Sequence, residues 1–160
     1  MRFTLALLLL LSLAGCNRWK PFSPPEGGCR VQMPGTPVRG PGVLSFGNTY
    51  VAKSGGAEFR FAVMELPVED REQAIAEWKQ RMASGGSRFD SAGSAVTREV
   101  PMAGGTATEM EITVSLLGSG GHSVTRYLLK GARIYTFAVE DEGTDVSAAR
   151  QRFFDSFREE

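Results

Sequence analysis

Apolar and polar residues alternate along several short runs of this 160-residue chain. In "CRVQMP" the apolar residues Cys29, Val31 and Met33 are separated by polar ones, and in "EFRFAVMEL" Phe59 and Phe61 recur with the same period of two. This period is typical of a β-strand that turns one face to a hydrophobic core. We therefore predict two strands here, the first of which buries the thiol of Cys29 instead of leaving it reactive.

Three further alternating runs follow one another in the second half of the chain: "TEMEITVSL", "HSVTRYLLKG" and "RIYTFAVED". Glycines separate them, at 118–121 and at Gly131, and glycine adopts the positive φ angles that tight turns require. We therefore expect a three-stranded antiparallel meander. Its first strand should have a buried face and a solvated face, the buried one formed by Met110, Ile112, Val114 and Leu116 and the solvated one by Glu109, Glu111, Thr113 and Ser115.

Two segments follow the helical period instead. In "VEDREQAIAEWKQRMASGG" the residues Ile75, Trp78 and Met82 recur at helical spacing, acids precede bases, and a glycine pair ends the run. Near the C-terminus, Thr144 or Asp145 can cap a second helix, whose apolar side comprises Val146, Ala149, Phe153 and Phe157. Because each helix is apolar on one side only, the predicted fold class is α+β, an antiparallel β-sheet with two main helices packed on it.

The first sixteen residues have the layout of a secretory signal. Arg2 supplies a positive charge, residues 3–13 are almost wholly apolar, and the small residues Ala14 and Gly15 precede Cys16. A membrane-spanning helix needs about 20 apolar residues, so this run is too short to span. "LAGC" resembles the bacterial lipobox, which implies cleavage after Gly15 and attachment of acyl chains such as palmitate to Cys16. A buried N-terminal helix with a chance cysteine would explain neither the charge nor the cleavage site.

These features divide the chain into a lipoprotein signal peptide at 1–15, a tether at 16–28 and a single α+β domain at 29–160. Three prolines and a glycine pair argue against regular structure in the tether. Its aromatic residues Trp19 and Phe22 should rest either among lipid headgroups or on the domain. The part after the signal, about 145 residues, is long enough to form one hydrophobic core.

A lipid anchor on Cys16 would hold the protein in the cell envelope, at a membrane. In lipoproteins of bacteria with two membranes, an aspartate after the lipidated cysteine commonly retains the protein in the inner membrane. This chain has Asn17 there. The lipobox resemblance therefore favours the outer membrane, facing the periplasm, over the inner membrane.

The overall charge gives no sign of a nucleic-acid partner. The chain has 18 Lys and Arg and 18 Asp and Glu residues, and the basic ones are scattered among acids. Proteins that bind nucleic acid usually carry a basic patch. Of the two cysteines, Cys16 is committed to lipid, which leaves Cys29 without a disulfide partner.

Residues capable of catalysis are few. The single histidine, His122, stands in "GHSVT", which lacks the second glycine and the following helix of a nucleophile elbow. We interpret it as a solvated histidine at a hairpin. Glu109 and Glu111 share a strand face, but alternation alone places them there. No catalytic residue is therefore predicted.

Cofactor and metal motifs are likewise missing from the sequence. The glycine clusters lack the lysine and hydroxyl residue of a phosphate-binding loop. Glu140, Asp141, Glu142 and Asp145 lack the spacing of a calcium loop and fit a solvated turn. One histidine and one spare cysteine are too few for zinc. We predict no cofactor and no metal.

The order of motifs resembles the PsbP-like superfamily. The resemblance rests on "QMPGTP", the helix in the first half, the glycine before "TATEMEITV", then "RYLLKGARIYTFAVE" and the closing "RFFDSF". The group includes PsbP, Mog-type Ran-binding proteins and the bacterial lipoprotein DcrB. The shared motifs are turns and core aromatics, so the resemblance implies an antiparallel sheet with helices packed on it, used by different members to bind partners. No functional residue of the family has a match here.

Together these features predict a lipid-anchored bacterial cell-envelope protein with a non-enzymatic accessory domain that binds a partner protein or a small ligand. Two alternatives stay open. One is an envelope hydrolase with an unrecognised site, and the other is a purely structural surface lipoprotein.

Overall fold

The computed structural model describes residues 18–40, 48–66, 69, 71–84, 93–116 and 119–160. Cys16 and the predicted signal peptide lie outside them. In chain order the elements are β1 (Trp19–Phe22), β2 (Cys29–Pro34), β3 (Val38–Gly40), β4 (Asn48–Ser54), β5 (Ala57–Glu65), α1 (Arg71–Ser84), β6 (Gly93–Met102), β7 (Gly105–Leu116), β8 (Ser119–Lys130), β9 (Arg133–Asp141), α2 (Ser147–Asp155) and β10 (Arg158–Glu159).

Seven strands form one antiparallel sheet in the order β3-β4-β5-β9-β8-β7-β6. The predicted meander is confirmed, because β7 pairs with β8 and β8 pairs with β9. The first turn was predicted wrongly at 118–121. Gly120 and Gly121 already belong to β8, where they face Ser115 and Val114, whereas Gly131 turns the chain at a φ of 57° as expected.

A second, smaller sheet packs with α2 on one face of the large sheet. The single predicted sheet is thus two, because β2 pairs with β1 and β10 in the order β1-β2-β10. Cys29, Val31 and Met33 are fully buried in the core between the layers, which confirms the interpretation of Cys29. Phe153 packs edge-to-face against Phe59, with ring centroids 5.7 Å apart.

The helix α2 packs as its sequence predicts, but its N-cap residue is Val146, without a side-chain capping hydrogen bond, and not Thr144 or Asp145. It begins at Ser147, whose backbone N–H donates to the Oδ1 atom of Asp145 at 3.0 Å, and that hydrogen bond lowers the pKa of Asp145. Val146, Phe153 and Phe157 are buried in the core, as expected for an amphipathic helix.

The opposite face of the large sheet carries α1. Ala74 and Ile75 pack there against a second apolar cluster that contains Leu66, Tyr127 and Ile134. Both predicted helices therefore pack on the sheet, one on each face. The side chains of Trp78, Met82, Val114 and Leu116 lie outside the described residues.

The predicted tether contains a strand. Trp19 to Phe22 pair with β2 from Pro34 to Val31, although Pro21 lies among them. Proline is compatible with an edge strand, since its missing N–H is needed only in the interior of a sheet. Trp19 contacts Phe59 and Phe22 contacts Tyr50, so both aromatic residues rest on the domain. Neither helix among the described residues is long and apolar enough to cross a membrane.

Candidate functional site

A network of charged side chains lies on the face of the large sheet that α2 crosses, beside the aromatic core. Strands β6, β7 and β8 place Arg98, Glu109 and Arg126 side by side, because Glu109 pairs with Arg98 on one side and with Arg126 on the other. Side chains directly opposite each other in an antiparallel pair are close enough to interact. Arg98, Glu109, Glu111, Arg126, His122, Asp141 and Arg150 are called the charged network below.

Glu109 is the most buried carboxylate of the network, with an exposed fraction of 2%. Its Oε2 atom accepts a hydrogen bond from Arg126 Nε at 2.7 Å, and its Oε1 atom accepts one from Arg98 Nε at 2.8 Å. Burial by itself would raise the pKa of Glu109, but the hydrogen bonds from Arg126 and Arg98 outweigh it and hold this pKa below its ordinary value. Glu109 is therefore a buried carboxylate that stays charged.

The expectation that Glu109 faces solvent is thus wrong. On β7 its face continues that of Ala107, which is fully buried in the core. The strand has one face on the side of α2 and the other on the side of α1, where Met110 packs. Alternation predicted the strand correctly, but both of its faces are covered at this position.

His122 forms the second centre of the network. Its Nε2 atom lies 2.9 Å from Glu111 Oε1. Its Nδ1 atom lies 3.2 Å from Asp141 Oδ2 and 3.2 Å from Arg150 Nη1. The prediction of a solvated hairpin histidine is wrong, because His122 lies within β8 and its side chain is only 24% exposed. Neighbouring strands and α2 supply its partners.

The two centres are joined through Glu111. Arg98 lies 3.6 Å from Glu111 Oε2 while it binds Glu109, and the other oxygen of Glu111 contacts His122. Arg126 also stacks over the ring of Phe154 on α2 at 4.2 Å, a favourable cation–π arrangement. The network therefore connects strands β6 to β9 with α2 through paired charges.

A cleft of about 830 Å³ opens beside His122, at the end of the sheet. It is lined by the β4–β5 turn at 53–58, by 121–123, by 140–142 and by Ile112. Glu58, near the start of β5, has a lowered pKa: burial by itself would raise this pKa, but hydrogen bonds from Arg60 and Lys53 outweigh burial. Glu140, Asp141 and Glu142 line this cleft. Asp141, 7% exposed, is not part of a solvated turn, whereas Glu142 and Asp145 are exposed beyond the end of β9, as predicted.

The second predicted candidate, Cys29, is remote from this network. Its thiol is fully buried, and burial raises its pKa to about 11. The charged groups that influence it are Arg133, Glu160, Glu26 and Glu159, none of which contacts His122. The structure does not bring Cys29 and His122 together.

No metal-binding cluster of three or more His, Cys, Asp or Glu side chains occurs within the ranges that the structure describes. In the network, carboxylates approach different atoms of His122 and do not converge on one point. Sequence reasoning missed the roles of Arg98, Arg126 and Arg150, because they depend on strand register and on where α2 lies.

The fold and the network define a small α+β domain with a charged, ion-paired sheet surface. No family model and no curated protein matches the chain. The Ran-binding protein Mog1p of Saccharomyces cerevisiae is similar in structure, with a TM-score of 0.53 and 10% identity over 89% of this chain and 95% of that one. A mutant of the protein Mog1 matches with the same TM-score and identity over 88% and 95%.

LpqN of Mycobacterium tuberculosis, a protein involved in cell envelope biogenesis, aligns over 89% of this chain and 90% of its own, with 8% identity and a TM-score of 0.48. The Mog1 structures, at 10% identity, show the fold alone. The chain therefore has a Mog1-like α+β fold.

Proposed function

We propose that this chain is a lipid-anchored protein of the bacterial cell envelope whose domain binds a partner in a non-enzymatic accessory role. The anchor is Cys16, after removal of the signal peptide 1–15, and the membrane is the outer one, with the domain in the periplasm. The domain belongs with the PsbP-like group that the sequence motifs resemble.

The pairing of charges in the network carries the proposal of a binding role. Glu109 is held between two arginines, and His122 is held between Glu111 and Asp141. A general base or nucleophile needs a polar atom available to the substrate. Side chains that are already engaged with each other form a fixed pattern of charge, which suits recognition of a complementary surface.

The comparison with Mog1p also supports a binding role. Mog1p is described as a Ran-binding protein, so its fold can present a surface to another protein. We take from it only the type of role, a protein partner, and leave the partner's identity open. A nucleic-acid partner is disfavoured by the balanced charge of 18 basic and 18 acidic residues.

Lipidation is tested by the Cys16→Ser variant in cells supplied with a labelled fatty acid. Serine has no sulfur to form the thioether, so we expect loss of the label and accumulation of the uncleaved precursor. The matched control is Cys29→Ala, which should be labelled like the unchanged chain. Unchanged labelling of Cys16→Ser would contradict the anchor.

The binding role is tested by site-specific photo-crosslinking in the anchored protein. A photoreactive residue at Val96, which is 53% exposed on β6 next to the network, should give one defined crosslinked product. The same residue at Gln73 on the exposed side of α1 is the control. Labelling of the folded chain by serine- or cysteine-reactive activity probes, abolished in His122→Ala, would instead favour the hydrolase.

A further inference from the structure

The strand β1 shortens the predicted tether to almost nothing. Trp19, its first residue, stands only three positions after Cys16. An extended chain spans at most about 3.6 Å per residue, so the Cα atoms of these two residues are at most about 11 Å apart. The sequence alone suggested a tether of residues 16–28, several times longer.

The start of β1 is held firmly on the domain. All four of its residues pair with β2, and the carbonyl oxygen of Arg18 accepts a hydrogen bond from Gly35 N at 3.1 Å. The ring of Trp19 packs edge-to-face on the buried Phe59, with centroids 5.4 Å apart. Releasing β1 to lengthen the tether would break these contacts, so the short distance is a property of the folded domain.

Three exposed cations adjoin Trp19: Arg18 and Lys20 are its neighbours in the chain, and Arg152 covers its ring. The guanidinium of Arg152 lies 4.9 Å above the ring of Trp19 and donates to Gln32 Oε1 at 2.9 Å. Among the described residues, none of these three cations forms an ion pair with a carboxylate, whereas Arg98 and Arg126 both do. Their positive charge is therefore available to an anionic partner.

We propose that this basic surface, formed by Arg18, Lys20 and Arg152 around Trp19, lies against the anionic headgroups of the membrane that holds the lipid on Cys16. The inference rests on the proposed lipidation. The headgroup layer on each side of a bilayer is roughly 5 to 8 Å thick, so a connection of about 11 Å can just cross it. Exposed cations at that depth are attracted to anionic lipids.

The strand order leaves the β6 and β7 part of the charged network free in this arrangement. Trp19 lies over β5, whereas Arg98 and Glu109 lie on β6 and β7, beyond β9 and β8 in the sheet. Adjacent strands are about 4.8 Å apart, so at least three strand spacings separate Trp19 from these two residues. A domain docked through β1 can present the β6 edge to a partner.

The experiment uses the mature lipidated protein in vesicles of phosphatidylethanolamine and phosphatidylglycerol. A fluorophore is attached at Lys20→Cys and, as the matched control, at Gln73→Cys on α1. The buried thiol of Cys29 will not compete for the label, and Cys16 is blocked by lipid. Headgroup-labelled quencher lipids should quench the fluorophore at position 20 at least twofold more than the one at position 73.

A second arm tests the role of charge. Arg18→Gln combined with Arg152→Gln, or 1 M salt, should reduce quenching at position 20 at least twofold, because attraction between exposed charges is screened at high salt. Vesicles of phosphatidylcholine alone should give the same reduction. The position 73 fluorophore should not respond to any of these changes.

The outcomes separate the two proposals. Equal quenching at positions 20 and 73, with acylated Cys16 and protein bound to the vesicles, would overturn the docking surface and leave the anchor intact. Protection of position 20 in native membranes but not in lipid vesicles would also overturn it, because a protein would then cover the surface. If Cys16 carries no acyl chain, the proposed anchor fails and the docking surface fails with it.

Discussion

The face of the large sheet that α2 crosses has two unlike halves. One is aromatic: the ring of Phe153 on α2 packs against those of Phe59 and Phe137, with centroids 5.7 and 5.8 Å apart, and all three are fully buried. The other is charged: Glu109 is 2% exposed and lies between Arg98 and Arg126. The two halves meet where Arg126 stacks over Phe154.

The difference shows that burial and apolar character are separate properties of a strand face. In the aromatic half, α2 and the small sheet exclude water, and apolar contact stabilises the packing. In the charged half, the burial of one carboxylate requires hydrogen bonds to two guanidinium groups, because an unpaired buried charge is strongly unfavourable. The first half should therefore contribute most to stability and the second to the specific arrangement of the strands.

The largest expected effect comes from the aromatic half. Phe153→Ala removes a fully buried ring and should lower the free energy of unfolding by about 3 to 5 kcal/mol, as measured by denaturant unfolding. Gln151→Ala on the exposed side of the same helix is the control, with a change within about 0.5 kcal/mol. Similar values for the two variants would mean that α2 does not pack on the sheet.

The sequence predicts the aromatic half better than the charged one. Phe59 and Phe153 could be assigned to the core because they follow simple periods on a strand and on a helix. The pairing of Glu109 with Arg126 depends on the β7–β8 register, and a turn centred on 118–121 would have placed Lys130 opposite Glu109. A turn misplaced by two residues therefore concealed the network.

Other features were missed for reasons of proline content and of long-range pairing. The strand β1 contains Pro21, and β6 contains Pro101; both prolines argue against a central strand but are compatible with an edge. The partners of His122 come from β7, β9 and α2, so they are visible only once these elements are assembled. Long-range pairing, and not local propensity, determines the candidate site.

The second-largest loss of stability is expected from a substitution in the charged half. Glu109→Gln leaves Arg126, whose side chain is 11% exposed, without its carboxylate. We expect a loss of about 2 to 3 kcal/mol in unfolding free energy, less than for a fully buried pair because water reaches Arg98. Glu99→Gln, an exposed position on β6, should change stability by no more than about 0.5 kcal/mol. Equal effects would show that Glu109 is not buried between the arginines.

Acid should weaken the charged half before the aromatic one. Since the pKa of Glu109 is lowered below its ordinary value of 4.5, its contribution to stability is fully present above that value and is lost as the pH falls through the lower pKa of the folded state. Unfolding free energy measured between pH 6 and pH 3 should fall less steeply in Glu109→Gln than in the unchanged protein. Parallel curves for the two proteins would contradict the charged pairing.

A smaller effect is expected for Cys29 in the apolar core. Cys29→Ala should cost about 1 kcal/mol through lost packing. The rise of its pKa from 9.0 to about 11 leaves roughly a hundredfold less thiolate near neutral pH, and the thiolate is the reactive form. A thiol reagent should therefore label the folded protein at least about a hundredfold more slowly than the unfolded one. Rapid labelling would make Cys29 a candidate nucleophile.

The smallest effect is expected for His122, although both of its ring nitrogens are engaged. Its partners Glu111 and Arg150 are accessible to water, and partly exposed ion pairs contribute less than about 1 kcal/mol. Asp141, which is buried, also accepts a hydrogen bond from Gly143 N at 3.1 Å and so keeps a partner. His122→Ala should therefore lower the unfolding free energy by less than about 1 kcal/mol. It should leave the Val96 crosslink intact, because Arg98 and Arg126 keep their pairing with Glu109.

The matched control for this variant is Arg150→Ala, which removes the α2 partner of His122 and keeps the ring between its two carboxylates. If the network acts as a fixed pattern of charge, both variants should stay within about 1 kcal/mol of the unchanged protein. A loss of more than 2 kcal/mol in His122→Ala alone would mean that the histidine holds β7 and β9 together. Loss of the Val96 crosslink with the fold intact would instead place His122 in the surface that the partner contacts.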